Sequence, residues 1–295
     1  FVYDTRKDSD GGAWRKRTQH TTWFNETLGT ATRGTRREFP AVAVIVAETN
    51  KVIIYDGDDP DLPMWMVFSP TGIIDWPTST LSRIKLSAMN GIMVTVTNDG
   101  GGIFKFVEDF VDIIYSNNNY PITSDRSISG RNNVTGYANL TDRAPRVFEM
   151  SNYSLRDVAM TVLPNAPIDE RTGLPTPSIA IAGDTGLNVI HNDGVVKRYS
   201  DNNGATRKFE TVITLGSDVL GYNQPNGTVQ RFFNALNLRA NDNDNDMKYN
   251  YTIGGGGGST ENISAVLRET TNVPIGLVSE DPHNRFTAFN ADGIS

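Results

Sequence analysis

The feature that most constrains this chain is a short unit of strand-like run, tight turn, second run, Asp-Gly and third run, most complete over residues 178–199. There Ser178-Ile179-Ala180-Ile181-Ala182 passes through Gly183-Asp184-Thr185-Gly186 into Leu187-Asn188-Val189-Ile190-His191. Asn192-Asp193-Gly194 then leads into Val195-Val196-Lys197-Arg198-Tyr199. The runs are too short for stable helices and rich in β-branched residues, and each break holds Gly beside Asn or Asp, the residues that reach positive φ in hairpin turns. The pattern predicts an antiparallel meander.

Similar punctuation occurs at Asp56-Gly57, Asn98-Asp99-Gly100 and Asp292-Gly293, so the glycines at 57, 100, 194 and 293 lie 43, 94 and 99 residues apart. A four-stranded propeller blade takes about 45 to 50 residues, and the two longer intervals are about twice that. The sequence therefore predicts an all-β fold: a β-propeller-like repeat of antiparallel four-stranded blades, incomplete in this chain, with degenerate blades at the two skipped positions. A β-sandwich is the competing arrangement, because Asp-Gly is also a common turn dipeptide.

Pro40 divides the chain. Residues 1–40 read as a basic polar N-terminal arm or edge segment, and residues 41–295 as the propeller-like domain, which opens on Ala41-Val42-Ala43-Val44-Ile45-Val46-Ala47. Val52-Ile53-Ile54-Tyr55 suits the hairpin partner of that run, and Met64-Trp65-Met66-Val67-Phe68 a third strand. Asn90-Gly91 is a strong two-residue hairpin signal. Apolar residues at 103, 104, 106, 107, 110, 111, 113 and 114 fit a helical stripe as well as two strands, so a short helix stays open there. Residues 116–146 have little periodicity and read as a long exposed connection or an irregular blade.

Composition narrows the function classes. The absence of cysteine excludes disulfides and thiolate chemistry, and the three histidines, His20, His191 and His283, share no ligand spacing. His191, at the end of an apolar run, reads as a strand-end side chain. No run of about 18 apolar residues is present to span a membrane. Residues 1–40 hold eight Lys or Arg against five Asp or Glu, so the net charge of −7 leaves −10 on the remainder. An acidic body argues against nucleic-acid binding, which needs clustered cations.

The basic start is expected to serve assembly. Trp14 and Trp23 would bury their rings on a neighbour while Arg15, Arg17, Arg36 and Arg37 dock on an acidic face. For a metal, the alternating carboxylates Asp242, Asp244 and Asp246 are the candidate ligands for Ca²⁺, with the loop Asp56-Gly57-Asp58-Asp59-Pro60-Asp61 second. No other cofactor is indicated. For host-surface glycan, Trp76 and Tyr120 are the candidate aromatic shelf, whereas Trp65 between two methionines reads as core. Ser9-Asp10-Gly11-Gly12-Ala13-Trp14 looks like an Asp-box turn of sialidases, one residue short and unrepeated, which keeps a glycoside hydrolase as an alternative without nominating a catalytic residue. The chain starts at Phe1 and stops just after an Asp-Gly turn, which reads as a piece of a longer protein.

Two stretches carry a resemblance. The first runs from Asp4-Thr5-Arg6-Lys7 through Trp14-Arg15-Lys16-Arg17 and Trp23-Phe24-Asn25-Glu26 to Arg36-Arg37-Glu38-Phe39-Pro40. The second is Tyr55-Asp56-Gly57-Asp58-Asp59-Pro60-Asp61-Leu62-Pro63-Met64-Trp65-Met66. Over residues 3–68 the chain resembles uncharacterised proteins of marine bacteriophages, abundant in ocean metagenomes, whose longer members continue into lectin-like modules. The resemblance implies a virion component of the tail or tail fibre, assembled in the bacterial host cytoplasm. Its partners would be other virion proteins or copies of itself. No catalytic site comes with it.

Overall fold

The computed structural model describes residues 1–48, 51–69, 84–98, 100–115, 127–132, 147–149, 154–199, 208–223, 228–232, 236, 248–252, 276–280, 285–290 and 293–294. Every regular element among them is a strand or a short 3-10 turn. The chain divides into two compact units, Phe1–Met150 with Ala166–Thr176, and Ser151–Asn165 with Pro177–Ser295.

In the first unit, β1 (Val2–Asp4), β2 (Val42–Glu48), β3 (Lys51–Asp56) and β4 (Met64–Phe68) form an antiparallel sheet in sequence order. The next sheet continues the meander with β5 (Lys85–Met89), β6 (Ile92–Thr97), β7 (Gly100–Lys105) and β8 (Phe110–Tyr115). It is extended by β9 (Val147–Glu149), which runs parallel to β8. In the second unit, β10 (Leu155–Thr161) precedes a small hairpin, β11 (Ile168–Asp169) and β12 (Leu174–Pro175), that belongs to the first unit. The chain then returns through β13 (Ser178–Gly183), β14 (Gly186–Ile190) and β15 (Val196–Tyr199), giving the sheet β10-β13-β14-β15. A further four-stranded sheet comprises β16 (Phe209–Leu215), β17 (Asp218–Asn223), β18 (Thr228–Phe232) and β19 (Lys248–Thr252). The last sheet is β20 (Gly276–Glu280), β21 (Arg285–Asn290) and β22 (Gly293–Ile294).

The chain is thus an all-β, propeller-like repeat of antiparallel four-stranded blades. The 178–199 meander forms as read: Gly183 pairs with Gly186 across a two-residue loop, and Gly194 turns at φ 85. The Asp-Gly marks, however, do not share one position within the blades. Gly57 and Gly194 lie between third and fourth strands, whereas Gly100 and Gly293 are the first residues of third strands. The interval from 194 to 293 does contain a blade, β16–β19. Among the described residues, the interval from 100 to 194 contains no extra one.

The ambiguous stretch from 103 to 115 is two strands joined by a turn in which Asp109 takes φ 54. Both faces of β7 are covered: Ile103 and Phe104, which point to opposite sides, are each buried. Burial on both faces removes the alternation that marks a strand and leaves a continuous apolar run, which a helix would share.

The first unit's core is aromatic. Trp14, Trp23, Phe39, Trp65, Phe68, Phe104 and Phe106 form one buried cluster with Ile45, Val52 and Ile54. Phe39 lies at its centre, 4.8 Å from both Trp65 and Phe106 and 5.1 Å from Trp14, in tilted or edge-to-face contacts. The second unit has an aliphatic core around Ala180, Leu187, Val189, Val212 and Val219, with Phe209.

Candidate functional site

The expected interaction arm is instead an integral part of the first sheet and its core. β1 pairs with β2, placing the segment's first residues at the sheet edge. Further along, residues 32–34 lie against β4: Val67 N donates to Thr32 O, Gly34 N donates to Trp65 O, and Arg33 bridges Met66. At Gly34 an added Cβ would sit 2.0 Å from Met64 O, so only glycine allows this approach.

Trp14 and Trp23 are both 0% exposed, which corrects their assignment to a partner contact. The Trp14 indole donates to Asp8 Oδ2 at 2.7 Å and that of Trp23 to Phe106 O at 2.8 Å. The expected docking arginines are also used internally. Arg15 donates to Phe39 O, Arg17 to Asp10 and Thr172 O, and Arg36 to Asp56 and Asp58, while Arg37 donates to Phe24 O. The physical reason is that buried indoles need an acceptor and the basic excess of residues 1–40 finds its acids and carbonyls within its own unit.

Two polar clusters that the sequence reading did not find hold this segment in place. In the first, Asp8 accepts from Tyr3 Oη at 2.5 Å, Trp14 Nε1 at 2.7 Å and Asn90 N at 2.8 Å. Burial pushes the Asp8 carboxyl above its ordinary range although these donors favour its ionised form. Burial first, and then the facing Asp8, holds the Tyr3 hydroxyl well above the usual tyrosine range. Asn90 completes the cluster: its Oδ1 accepts from Ser9 N, and its Nδ2 donates to Ser9 Oγ and Pro175 O.

The second cluster is a buried Arg–Glu–Arg arrangement. Glu26 pairs with Arg131 through one carboxylate oxygen and lies 3.5 Å from Arg33 Nε through the other. Arg33, 1% exposed, also donates to the carbonyls of Arg36, Trp65 and Arg37, and its guanidinium stacks 4.5 Å above the Trp65 ring. Arg131 donates to the carbonyls of Val67, Ile128 and Thr32. Burial pushes the Arg33 guanidinium down to about 10, with Glu26 opposing that shift and Arg131 adding to it. Neither cluster had a sequence signal, because contacting members lie up to 105 residues apart.

In the second acidic loop two carboxylates are turned to an arginine. Asp56 and Asp58 both face Arg36, and Asp58 also accepts from the amides of Ala41 and Val42. Although burial works against it, these amides and Arg36 hold the Asp58 carboxyl below its ordinary range. Among the described residues, no group of three His, Asp or Glu side chains is arranged to hold a metal ion. The other candidate ligands, Asp242, Asp244 and Asp246, lie outside the described residues, as do Trp76 and Tyr120. In the second unit His191 directly follows β14, with Nδ1 3.0 Å from Leu236 O. Arg156 on β10 pairs with Asp184 and with Glu210 of β16.

No family model matches the chain, and no curated protein matches it. In structure it is similar to a streptogramin B lyase, at 12% identity and TM-score 0.42, covering 86% of this chain and 63% of the lyase. It is also similar to AztD from Citrobacter koseri, at 10% identity and TM-score 0.34, covering 85% of this chain and 68% of AztD. A third similarity, to BBS1N in complex with ARL6DN, has 11% identity and TM-score 0.37, covering 85% of this chain and 73% of the other.

Proposed function

We propose that this chain is a structural or adhesion component of a phage virion, of the tail or tail fibre, that assembles with other virion proteins or copies of itself and contacts the host surface. The resemblance over residues 3–68 gives the context. The observation that supports a structural role is how the buried polar groups of that stretch are used. Arg33 and Asp56, which are buried, and Asp8 and Glu26, which are half-buried, face backbone amides or carbonyls, an indole or a charged partner, as in a scaffold that must keep its shape. A catalytic carboxylate needs access to substrate and a proton-transfer partner there.

The test is quantitative mass spectrometry of purified particles and of the soluble fraction of infected cells. The proposal expects the chain in particles at a fixed copy number relative to known tail proteins. Detection in the soluble fraction with none in particles would overturn it.

A further inference from the structure

Asn90-Gly91 has a chemical property that the hairpin role does not use. Asn followed by Gly is the pair in which the next backbone nitrogen is least hindered from attacking the side-chain amide, because Gly carries no Cβ. In this fold the pair sits at the tip of the β5–β6 hairpin at φ 51 and 72, with Asn90 only 3% exposed. The attacking atom is engaged, since Gly91 N donates to Tyr3 Oη at 2.8 Å. The amide under attack is engaged as well, through Ser9 N, Ser9 Oγ and Pro175 O.

We propose that Asn90 is a deamidation site gated by the N-terminal segment, and that its conversion irreversibly loosens the clasp among residues 3–14, the β5–β6 tip and the β11–β12 hairpin. When the segment opens, Gly91 N gives up its proton and bonds to Asn90 Cγ, the Cγ–Nδ2 bond breaks, and Nδ2 takes up a proton and leaves as ammonia. Water then opens the cyclic imide at either carbonyl, giving aspartate or isoaspartate. The product cannot reform the clasp. A carboxylate oxygen replaces the donor that faced Pro175 O, on the residue whose backbone N binds Asp8, leaving an added charge and an unpaired carbonyl in a buried place.

The experiment incubates the full chain at pH 8, folded and in urea, and follows residue 90 by peptide mapping. Folded chain should react at least ~10-fold more slowly than unfolded chain, because reaction waits for local opening. Tyr3→Phe, which frees Gly91 N, and Ser9→Ala, which frees Asn90, should each raise the folded rate. Asn90→Asp should speed hydrogen exchange in residues 3–14 and 174–176 but not in β13 and β14. Equal folded and unfolded rates would overturn the proposal. So would folded rates unchanged in both variants, or Asn90→Asp exchange identical to the parent.

Discussion

Replacing Glu26 by Gln tests whether the first sheet depends on its buried Arg–Glu–Arg cluster. Among the described residues, Glu26 is the single carboxylate paired with Arg33 and Arg131, whose side chains are 1% and 2% exposed. The amide keeps the size but removes the charge, leaving two buried guanidiniums facing each other. Both stay pinned by backbone carbonyls and cannot swing out to water. Breaking a buried ion pair by removing one partner costs about 3–5 kcal/mol, against about 0–1 kcal/mol for an exposed pair. The assay is urea unfolding followed by tryptophan fluorescence. All four tryptophans precede residue 77, so the signal reports the first unit alone. A fall in midpoint corresponding to about 3–5 kcal/mol at unchanged slope is expected, with little relief from added salt. A loss below about 1 kcal/mol, or one abolished by salt, would refute the reasoning by showing that water reaches the cluster.

Deleting residues 1–40 removes Trp14, Trp23 and Phe39 from the aromatic core, and each large aromatic lost from a core costs about 3–5 kcal/mol. The first unit should therefore unfold, seen as loss of near-ultraviolet circular dichroism; a retained signal would restore the detachable-arm reading. The Tyr3 hydroxyl, held protonated above its ordinary range, contributes stability that is complete below pH 10 and lost as pH rises beyond it. Tyr3→Phe should flatten that alkaline decline in urea midpoints measured from pH 9 to 11, and a decline as steep as the parent's would count against it.

The repeating β architecture was legible in the sequence because it is written locally. Alternation, β-branched runs and Gly with Asn or Asp at the breaks specify strands and turns within a few residues of one another, as over 178–199 and at Asn90-Gly91. The same local reading left residues 1–40 open between arm and edge segment and wrongly turned Trp14 and Trp23 toward a neighbour. Lys, Arg, Asn and Gly dilute its aromatics, so nothing within a short window shows that Trp14 meets Gly91 and Phe39 or that Trp23 meets Phe106. Which acid satisfies which arginine was equally out of reach, since Glu26 and Arg131 meet only once the sheets between them are formed. Sequence determined the kind of element and much of its punctuation, because φ/ψ preference and side-chain periodicity are short-range. Tertiary structure decided that the basic start is core rather than arm, because burial and charge pairing depend on distant partners arriving together.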